Sequence, residues 1–177
     1  MNATHDLRAG RLAARIEGRV PCVRVATPEE SPLDAVRRTA VVPYSAEEMY
    51  ALVNDIESYP DFLPWCTGAR VHARNGNRVT ASVSLATAGI RQSFSTENTL
   101  QPGRRIDVRL VSGPFSRLEG FWKFDPAGER ACHVQLSLDF EFRNVVLKLA
   151  LSRVFHFILN SLVDAFTRRA EHIYGTR

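Results

Sequence analysis

Hydrophobic residues recur with the period of an α-helix along the C-terminal part of the chain. Asn144 is a suitable N-cap and no helix breaker follows until Gly175. One helix of roughly thirty residues and about 45 Å is therefore predicted over 144–174. The residues of its apolar stripe are Leu147, Leu151, Phe155, Ile158, Leu159, Leu162, Ala165, Phe166 and Ile173. A stripe of this length requires an equally long apolar surface to cover it.

Alternating apolar and polar residues predict that surface as a β-sheet. The strand-like runs, separated by turns rich in Gly, Pro and Asn, are 37–44, 70–74, 79–85, 90–100, 106–110, 118–124 and 134–142. Short connections between successive runs predict an antiparallel meander with one apolar face. The fold class is therefore predicted as α+β, a helix grip in which a curved antiparallel sheet wraps around the long C-terminal helix. Such an arrangement encloses an internal apolar cavity between helix and sheet.

Two further segments lie between the first predicted strand and the meander. Ser45 and Glu48 have the spacing of a capping box, which predicts a helix over 45–55 and assigns Glu48 to capping rather than to catalysis. The segment 59–66 contains two prolines and several aromatic residues, so it is not a long helix. It either packs into the core or lines the mouth of a pocket.

Residues 1–34 differ in composition from the rest of the chain. Arginines punctuate this segment, and Leu7, Leu12 and Ile16 form only one weak helical face. Three interpretations are open: a disordered tail, a start codon placed too far upstream, or a basic targeting or membrane-surface arm. We predict a disordered N-terminal extension over 1–34 and one folded domain over 35–177.

Charge and cysteine content narrow the possible functions. The 177 residues include 23 basic residues and carry a net charge of +4, with nearly all basic residues being Arg. This excess reflects either codon bias in a GC-rich genome or a phosphate-binding surface. Cys22, Cys66 and Cys132 form no CxxC pair, which favours reduced thiols in a cytoplasmic protein. No run of about eighteen apolar residues occurs, so no membrane span is predicted.

The chain shows no recognisable catalytic or metal-binding motif. The histidines lack metal-ligand spacing, and there is no nucleophile elbow, P-loop or dinucleotide-binding glycine motif. We therefore predict that the protein is not an enzyme and holds no metal. The candidate ligand-binding residues are instead the apolar ones expected around the cavity: Phe62, Leu63, Trp65, Val83, Phe94, Phe115, Trp122, Phe140, Phe155, Leu159 and Leu162.

The C-terminal helix also carries apolar residues away from its stripe. Val146, Leu149 and Phe157 cluster around Arg153 in the first half of the helix. They either pack against the 59–66 segment or form a patch that contacts a membrane or a partner. Arg169, by contrast, lies on the apolar stripe, so it is expected to have a carboxylate partner.

Several of these stretches resemble the coenzyme Q-binding START-domain family in the same order along the chain. The resemblance rests on the opening VPYS (42–45), on YP with FLPWC (59–66), on GPF (113–115) with Trp122 and Phe124, and on the FEF triplet (140–142). It covers about residues 37–177. It implies a START-like helix grip with a tunnel for an isoprenoid quinone, and no catalytic residue set.

The resemblance also implies two functions. One is a ubiquinone carrier or chaperone that supports respiration, with ubiquinone as bound ligand and no other cofactor, contacting the inner membrane peripherally. The alternative is a bacterial toxin that binds the large ribosomal subunit and blocks subunit association. Neither involves DNA, and both fit a cytoplasmic protein. For the second function, candidate phosphate contacts are Arg70, Arg74, Arg78, Arg104, Arg105, Arg109 and Arg117.

Overall fold

The computed structural model describes residues 34–87 and 89–177, so most of the predicted N-terminal extension lies outside the described residues. These described residues form seven strands, three α-helices and a short 3₁₀ helix. The strands are β1 (Asp34–Val42), β2 (Cys66–Asn75), β3 (Arg78–Thr87), β4 (Ile90–Gln101), β5 (Arg105–Ser112), β6 (Phe115–Pro126) and β7 (Cys132–Phe142). The helices are α1 (Ala46–Asn54), α2 (Tyr59–Phe62) and α3 (Val145–Tyr174), with the 3₁₀ helix at Ile56–Ser58.

The strands form one antiparallel sheet in the order β1-β7-β6-β5-β4-β3-β2. The predicted meander is therefore confirmed for β2 to β7. β1 adds to the far edge beside β7, where Asp34 faces Phe140. The predicted start of this strand at residue 37 is three residues late, and Asp34, assigned to the extension, belongs to the strand. The alternation is weak there because β1 is an edge strand with few buried side chains.

β6 and β7 approach each other closely at Gly120. A Cβ atom added at Gly120 would lie 2.0 Å from the carbonyl oxygen of Ser137 and 2.8 Å from the Cα of Leu138. Both are backbone atoms of the neighbouring strand, so a side chain here would force the two strands apart. Glycine is therefore required at this point of the sheet by the approach of the backbone.

The predicted capping box at the start of α1 is confirmed. Ser45 Oγ accepts a hydrogen bond from the Glu48 amide at 3.2 Å, and Glu48 Oε2 accepts one from the Ser45 amide at 2.8 Å. The chain terminus reaches the same place, because Arg177 donates from both terminal nitrogens to the Glu48 carboxylate at 2.8 and 2.9 Å. The hydrogen bonds from Arg177 lower the pKa of Glu48 below its ordinary value.

The segment between α1 and β2 packs into the core, which is one of its two predicted roles, and Tyr59 and Trp65 also line an internal cavity. Leu63 is completely buried in the core. The Tyr59 hydroxyl donates to the Val53 carbonyl oxygen at 2.6 Å, and burial raises the pKa of Tyr59. Trp65 is also buried, directly before β2. The hydrogen bond from Tyr59 holds the 59–66 segment against α1. The segment then places Trp65 between the inner face of the sheet and α3.

α3 has the predicted ends and the predicted buried face. Asn144 Oδ1 accepts from the Leu147 amide at 2.9 Å, and Gly175 follows the helix with φ of +83°. Most of the predicted stripe is buried against the sheet and α1, together with Val163 and Ala170. Ile173 was wrongly placed on the buried stripe, since it is 47% exposed near the end of the helix.

The exposure of three apolar side chains on α3 excludes one of the two alternatives proposed for them, packing against the 59–66 segment. Val146, Leu149 and Phe157 are 70–80% exposed, so they do not pack against the 59–66 segment. The expectation that no segment could cross a membrane also needs correction, because α3 is long and apolar enough by length and composition. One of its faces nevertheless packs on the sheet, as in the core helix of a globular domain.

The expected partner of Arg169 is confirmed. Its Nη2 atom lies 3.7 Å from Asp61 Oδ2, and its guanidinium carbon lies 5.2 Å from the centre of the Phe62 ring. The Arg169 side chain is 19% exposed, whereas that of Asp61 is 64% exposed. The charge on the apolar stripe is therefore tolerated because it reaches the rim of the domain, between a carboxylate and an aromatic face.

Candidate functional site

An apolar cavity of about 110 Å³ lies between α3 and the inner face of the sheet. Its walls come from β3 to β7, from α3 and from the turn after α1. Among the predicted ligand-binding residues, those that line it are Trp65, Val83, Phe94, Trp122, Phe155, Leu159 and Leu162. The lining residues that the sequence reasoning missed are Val53, Ile56, Tyr59, Ala81, Leu85, Thr96, Asn98, Ile106, Val108, Leu118, Leu138, Ile158 and Phe166.

Four predicted ligand-binding residues do not line this cavity. Leu63 is buried in the core, and Phe62 packs edge-on against Phe166 with ring centres 5.1 Å apart. Phe115 and Phe140 contact the ring of Phe155, with centres 4.8 and 4.7 Å apart. The rings of Phe115, Phe140 and Phe155 fill the space between the sheet and the first half of α3. The cavity therefore lies next to this aromatic cluster and does not include Phe115 or Phe140.

Two successive inward-facing residues of β4, Thr96 and Asn98, place polar groups in the cavity wall. Thr96 is buried, and its hydroxyl makes no hydrogen bond with any described residue. Asn98 Oδ1 is buried and likewise lacks a hydrogen-bond partner within the described part of the chain. A buried amide oxygen without a partner costs about 1–3 kcal/mol. The pair can therefore offer a hydroxyl and an amide to a polar group that enters the cavity.

The alternation of β4 contains the signal that would have identified this pair. Phe94 and Leu100 have the same parity as Thr96 and Asn98, and Phe94 contacts Phe155 from the inner face. The predicted ligand-binding residues are all large and apolar, and they do not include the polar residues on the same face. Polar residues at inward positions of a strand indicate either a buried hydrogen bond or a ligand contact.

The volume limits which ligands the cavity holds as it stands. An empty apolar cavity of about 150 Å³ accepts benzene, whereas sites for drug-sized ligands have about 300–1,000 Å³. A volume of about 110 Å³ thus suits one small ring, and a polyprenyl chain needs more space. A second apolar gap of about 20 Å³ lies nearby between α3 and the β3–β4 hairpin. Leu85, Phe155 and Ile158 line both spaces and separate them.

The charged side chains on the outer face of the sheet differ between its two halves, β5–β7 and β2–β4. On β5 and β6, Arg105, Arg117 and Lys123 form ion pairs with Asp107, Glu119 and Asp125, whereas Arg109 makes no ion pair with a described residue. β2, β3 and β4 instead present Arg70, Arg78 and Arg91 on this face with a single carboxylate, Glu97, which lies 3.6 Å from Arg78. Arg74 pairs in register with the buried Val79 and is not part of this face. The predicted phosphate contacts Arg105 and Arg117 are therefore already paired. Arg70 makes no ion pair with a described residue.

Hydroxyl groups cover the outer surface between the arginines of β2 and β4. Ser82 lies opposite Ser95, and Ser84 lies opposite Ser93 with the two Oγ atoms 3.4 Å apart. His72 on β2 forms a hydrogen bond with Ser82 Oγ at 2.9 Å. We call this face of β2–β4, bounded by Arg70 and Arg91, the serine–arginine surface. Small hydroxyls flanked by arginines are suited to contact phosphate oxygens.

The two described cysteines have the properties of buried, unreactive thiols. Cys66 and Cys132 are both free and buried. Burial raises the pKa of Cys66, and burial together with nearby carboxylates raises the pKa of Cys132 to about 11. Neither lines the cavity, and Cys22 lies outside the described residues. The lining residues within the described part of the chain include no carboxylate, imidazole or thiol.

A curved seven-stranded antiparallel sheet that grips a C-terminal helix around an apolar cavity defines the START-like class of helix-grip proteins. The chain belongs to the family described as polyketide cyclase / dehydrase and lipid transport, whose pattern it matches over residues 42–167. The resemblance found in the sequence is therefore confirmed at the level of family and fold.

Named relatives divide into two groups. The chain is 48% identical over 142 residues to the protein named ribosome association toxin RatA from Escherichia coli K12, an alignment covering 80% of this chain and 90% of the relative. It is 26% identical over 139 residues to the mitochondrial coenzyme Q-binding protein COQ10 homolog B of Xenopus laevis. That alignment covers 76% of this chain but only 57% of the Xenopus protein.

Solved structures share the fold at lower identity. A START superfamily protein from Mycobacterium smegmatis has a TM-score of 0.68 and 24% identity, covering 78% of this chain and 98% of its own. The Zhui aromatase/cyclase from Streptomyces sp. R1128 has a TM-score of 0.71 and 17% identity, covering 78% and 94%. Since these identities are low, the two structures establish the shape of the domain alone.

Proposed function

We propose that this protein associates with ribosomes and thereby interferes with subunit joining. The observation that carries the proposal is its 48% identity to a RatA protein over 90% of that relative's length. The more distant coenzyme Q-binding relative shares 26% identity and only 57% of its length aligns. The ribosomal function, which was the alternative in the sequence analysis, therefore has the better support.

The serine–arginine surface is the part of the described structure best suited to contact ribosomal RNA. Arg70, Arg78 and Arg91 face outward from its strands against one carboxylate, whereas most charged side chains on β5 and β6 are paired with one another. Unpaired arginines can bind phosphates and release counterions, which gives binding that weakens as salt increases. The hydroxyl groups and arginines of this surface provide contacts to phosphate and sugar without reading base sequence.

The test is co-sedimentation with ribosomes in sucrose gradients. We expect the wild-type protein to migrate with large subunits and to reduce the fraction of joined ribosomes. The variant Arg70→Glu/Arg91→Glu should lose co-migration. The control Arg130→Glu/Arg168→Glu makes the same change in net charge at two exposed arginines elsewhere and should behave as the wild type. Absence of wild-type co-migration would refute ribosome association, and equal loss in both variants would refute the assigned surface.

We also propose that the protein acts by binding rather than by catalysis. The cavity lining offers Thr96, Asn98 and a Tyr59 hydroxyl already bonded to Val53, with no acid–base pair among the described residues that line it. The aromatase/cyclase neighbour shares the shape of the domain at 17% identity. A cavity with hydrogen-bonding groups but no titrating pair near neutral pH supports ligand binding.

A second candidate function is the binding of an isoprenoid quinone, for which Thr96 and Asn98 are the specific support. A quinone ring presents carbonyl oxygens that can accept from the Thr96 hydroxyl and from the Asn98 amide nitrogen, and the reduced quinol presents hydroxyls that can donate to the unpartnered Asn98 Oδ1. The ring would lie among Trp65, Trp122 and Phe94, which line the same cavity. A long tail would have to leave through the gap beside α3, which requires Leu85, Phe155 and Ile158 to move.

Quinone binding can be tested directly and separately from ribosome association. Purified protein would be extracted with organic solvent and the extract analysed by mass spectrometry. A short-chain ubiquinone would also be titrated while tryptophan fluorescence is recorded, because Trp65 and Trp122 line the cavity. Bound quinone and saturable quenching are expected. Repeatedly quinone-free protein with no saturable quenching would exclude this second function and leave the first untouched.

A further inference from the structure

The first half of α3 exposes an apolar surface that its packing does not explain. Val146, Leu149 and Phe157 are 70–80% exposed, and they lie on the side of the helix opposite its buried face. A helix with one buried stripe is normally polar on the other side. Together with the intervening Ala150, these residues form what we call the outer α3 face. Large apolar side chains grouped in this way mark a contact surface.

Charge defines what kind of partner this face fits. The stretch 143–157 contains Arg143, Lys148 and Arg153 and no acidic residue. Lys148 is near Asp34, at 3.6 Å, but Arg153 is exposed in the middle of the apolar side chains and forms no ion pair with any described residue. Apolar side chains with cations among them complement a surface whose interior is apolar and whose headgroups are anionic.

The neighbouring gap in the domain also points to lipid. The apolar space between α3 and the β3–β4 hairpin is lined by Leu151 and Val154, which flank Ala150 of the outer α3 face. Leu85 and Ile90 line the same space from the hairpin. The exposed apolar surface therefore continues around the helix to this gap, which Leu85, Phe155 and Ile158 separate from the cavity. Apolar side chains beside such a gap suit acyl chains.

We propose that the outer α3 face docks the protein on the surface of an anionic phospholipid bilayer. Leu149 and Phe157 insert at the level of the upper acyl chains, and Arg153 between them contacts lipid phosphate. A long cation fits this arrangement because its apolar stem lies among the acyl chains while its charged end stays with the headgroups. In the core of a protein interface, the same unpaired guanidinium would need a buried carboxylate. Docking in this orientation is independent of ribosome association, which uses the opposite side of the sheet.

Vesicle flotation with the full chain tests this docking. Vesicles of equal parts phosphatidylglycerol and phosphatidylcholine should bind the wild type, and binding should fall with added salt and on vesicles of phosphatidylcholine alone. The Leu149→Ser/Phe157→Ser variant should partition at least about tenfold less. The control Val41→Ser/Val111→Ser removes two exposed valines from the sheet and should float as the wild type.

Two further measurements keep the outcome clear. Thermal unfolding of each variant shows that it is folded, which is expected because all the substituted side chains are exposed. Arg153→Glu retains the apolar side chains and should weaken binding to the anionic vesicles only. Wild-type protein that does not float, or a folded double variant that floats undiminished, overturns the proposal. If the double variant loses ribosome co-sedimentation while the wild type never floats, the face binds the ribosome instead.

Discussion

The unpartnered amide of Asn98 leads to a prediction about stability that runs against the usual effect of a core substitution. Asn98 Oδ1 is buried beside an apolar cavity and lacks a hydrogen-bond partner among the described residues. Leaving such a group unsatisfied costs about 1–3 kcal/mol. Leucine has a similar size, and its side chain faces apolar neighbours there. Asn98→Leu should therefore raise the free energy of unfolding of the ligand-free protein by about 1–2 kcal/mol.

Urea and thermal unfolding measure this change. For a domain of this size, about 1 kcal/mol corresponds to about 2–4 °C in Tm, so Tm should rise by about 2–8 °C. The control Asn160→Leu makes the same substitution at an exposed position of α3 and should change stability by less than about 0.5 kcal/mol. The stabilised Asn98→Leu protein should also bind a short-chain ubiquinone more weakly.

A decrease in stability of the Asn98→Leu variant would contradict this prediction. If Asn98→Leu lowers the free energy of unfolding, the amide is satisfied in solution, for example by an ordered water in the cavity. In that case the energetic argument for a ligand at Thr96 and Asn98 is lost. If stability rises but quinone binding is unchanged, the amide is unsatisfied but does not contact the ligand.

Three further changes test other contacts. Gly120→Ala should lower the free energy of unfolding by more than about 2 kcal/mol in urea denaturation, because its Cβ would overlap a neighbouring backbone; Gly68→Ala, whose nearest neighbour is 3.9 Å away, should be tolerated. Arg177→Ala should lower the free energy of unfolding at neutral pH. Because the folded state lowers the pKa of Glu48, the stability difference between wild type and variant should shrink as the pH falls below the ordinary value of 4.5 and vanish below the folded-state pKa. A loss of stability that does not change with pH would contradict this prediction. Arg169→Met should cost about 0.5–1 kcal/mol in the same urea assay, and no loss would show that its aromatic contact contributes nothing.

The parts of the fold that follow from local patterns were predictable from the sequence. Ser45 with Glu48 and Asn144 with Gly175 each define a helix end through contacts within a few residues, and these ends are found in the structure. The alternation from 70 to 142 likewise predicts consecutive strands, although β2 begins four residues earlier, at Cys66. The place of β1 was not predictable in this way, because its pairing with β7 joins distant parts of the chain.

The site was predicted less completely, for a geometrical reason. Alternation tells which side of the sheet a residue faces, but not how far the covering helix lies from it. Phe115 and Phe140 share the inner face with Trp122, yet Phe155 fills the space above the first two and leaves a cavity near the third. The outer α3 face was different. The helical period placed Val146, Leu149 and Phe157 off the buried stripe but did not tell whether they pack on the 59–66 segment, and the structure shows that they are exposed.

The pairing of β1 with β7 also has a consequence during protein synthesis. About a hundred residues separate β1 from the strand beside it, and α3 follows all the strands in the chain. A nascent chain therefore presents an unpaired β1 and an incompletely covered aromatic face of the sheet until α3 emerges. The domain can complete its core only after α3 has been made, so chains that end within α3 should be prone to aggregation.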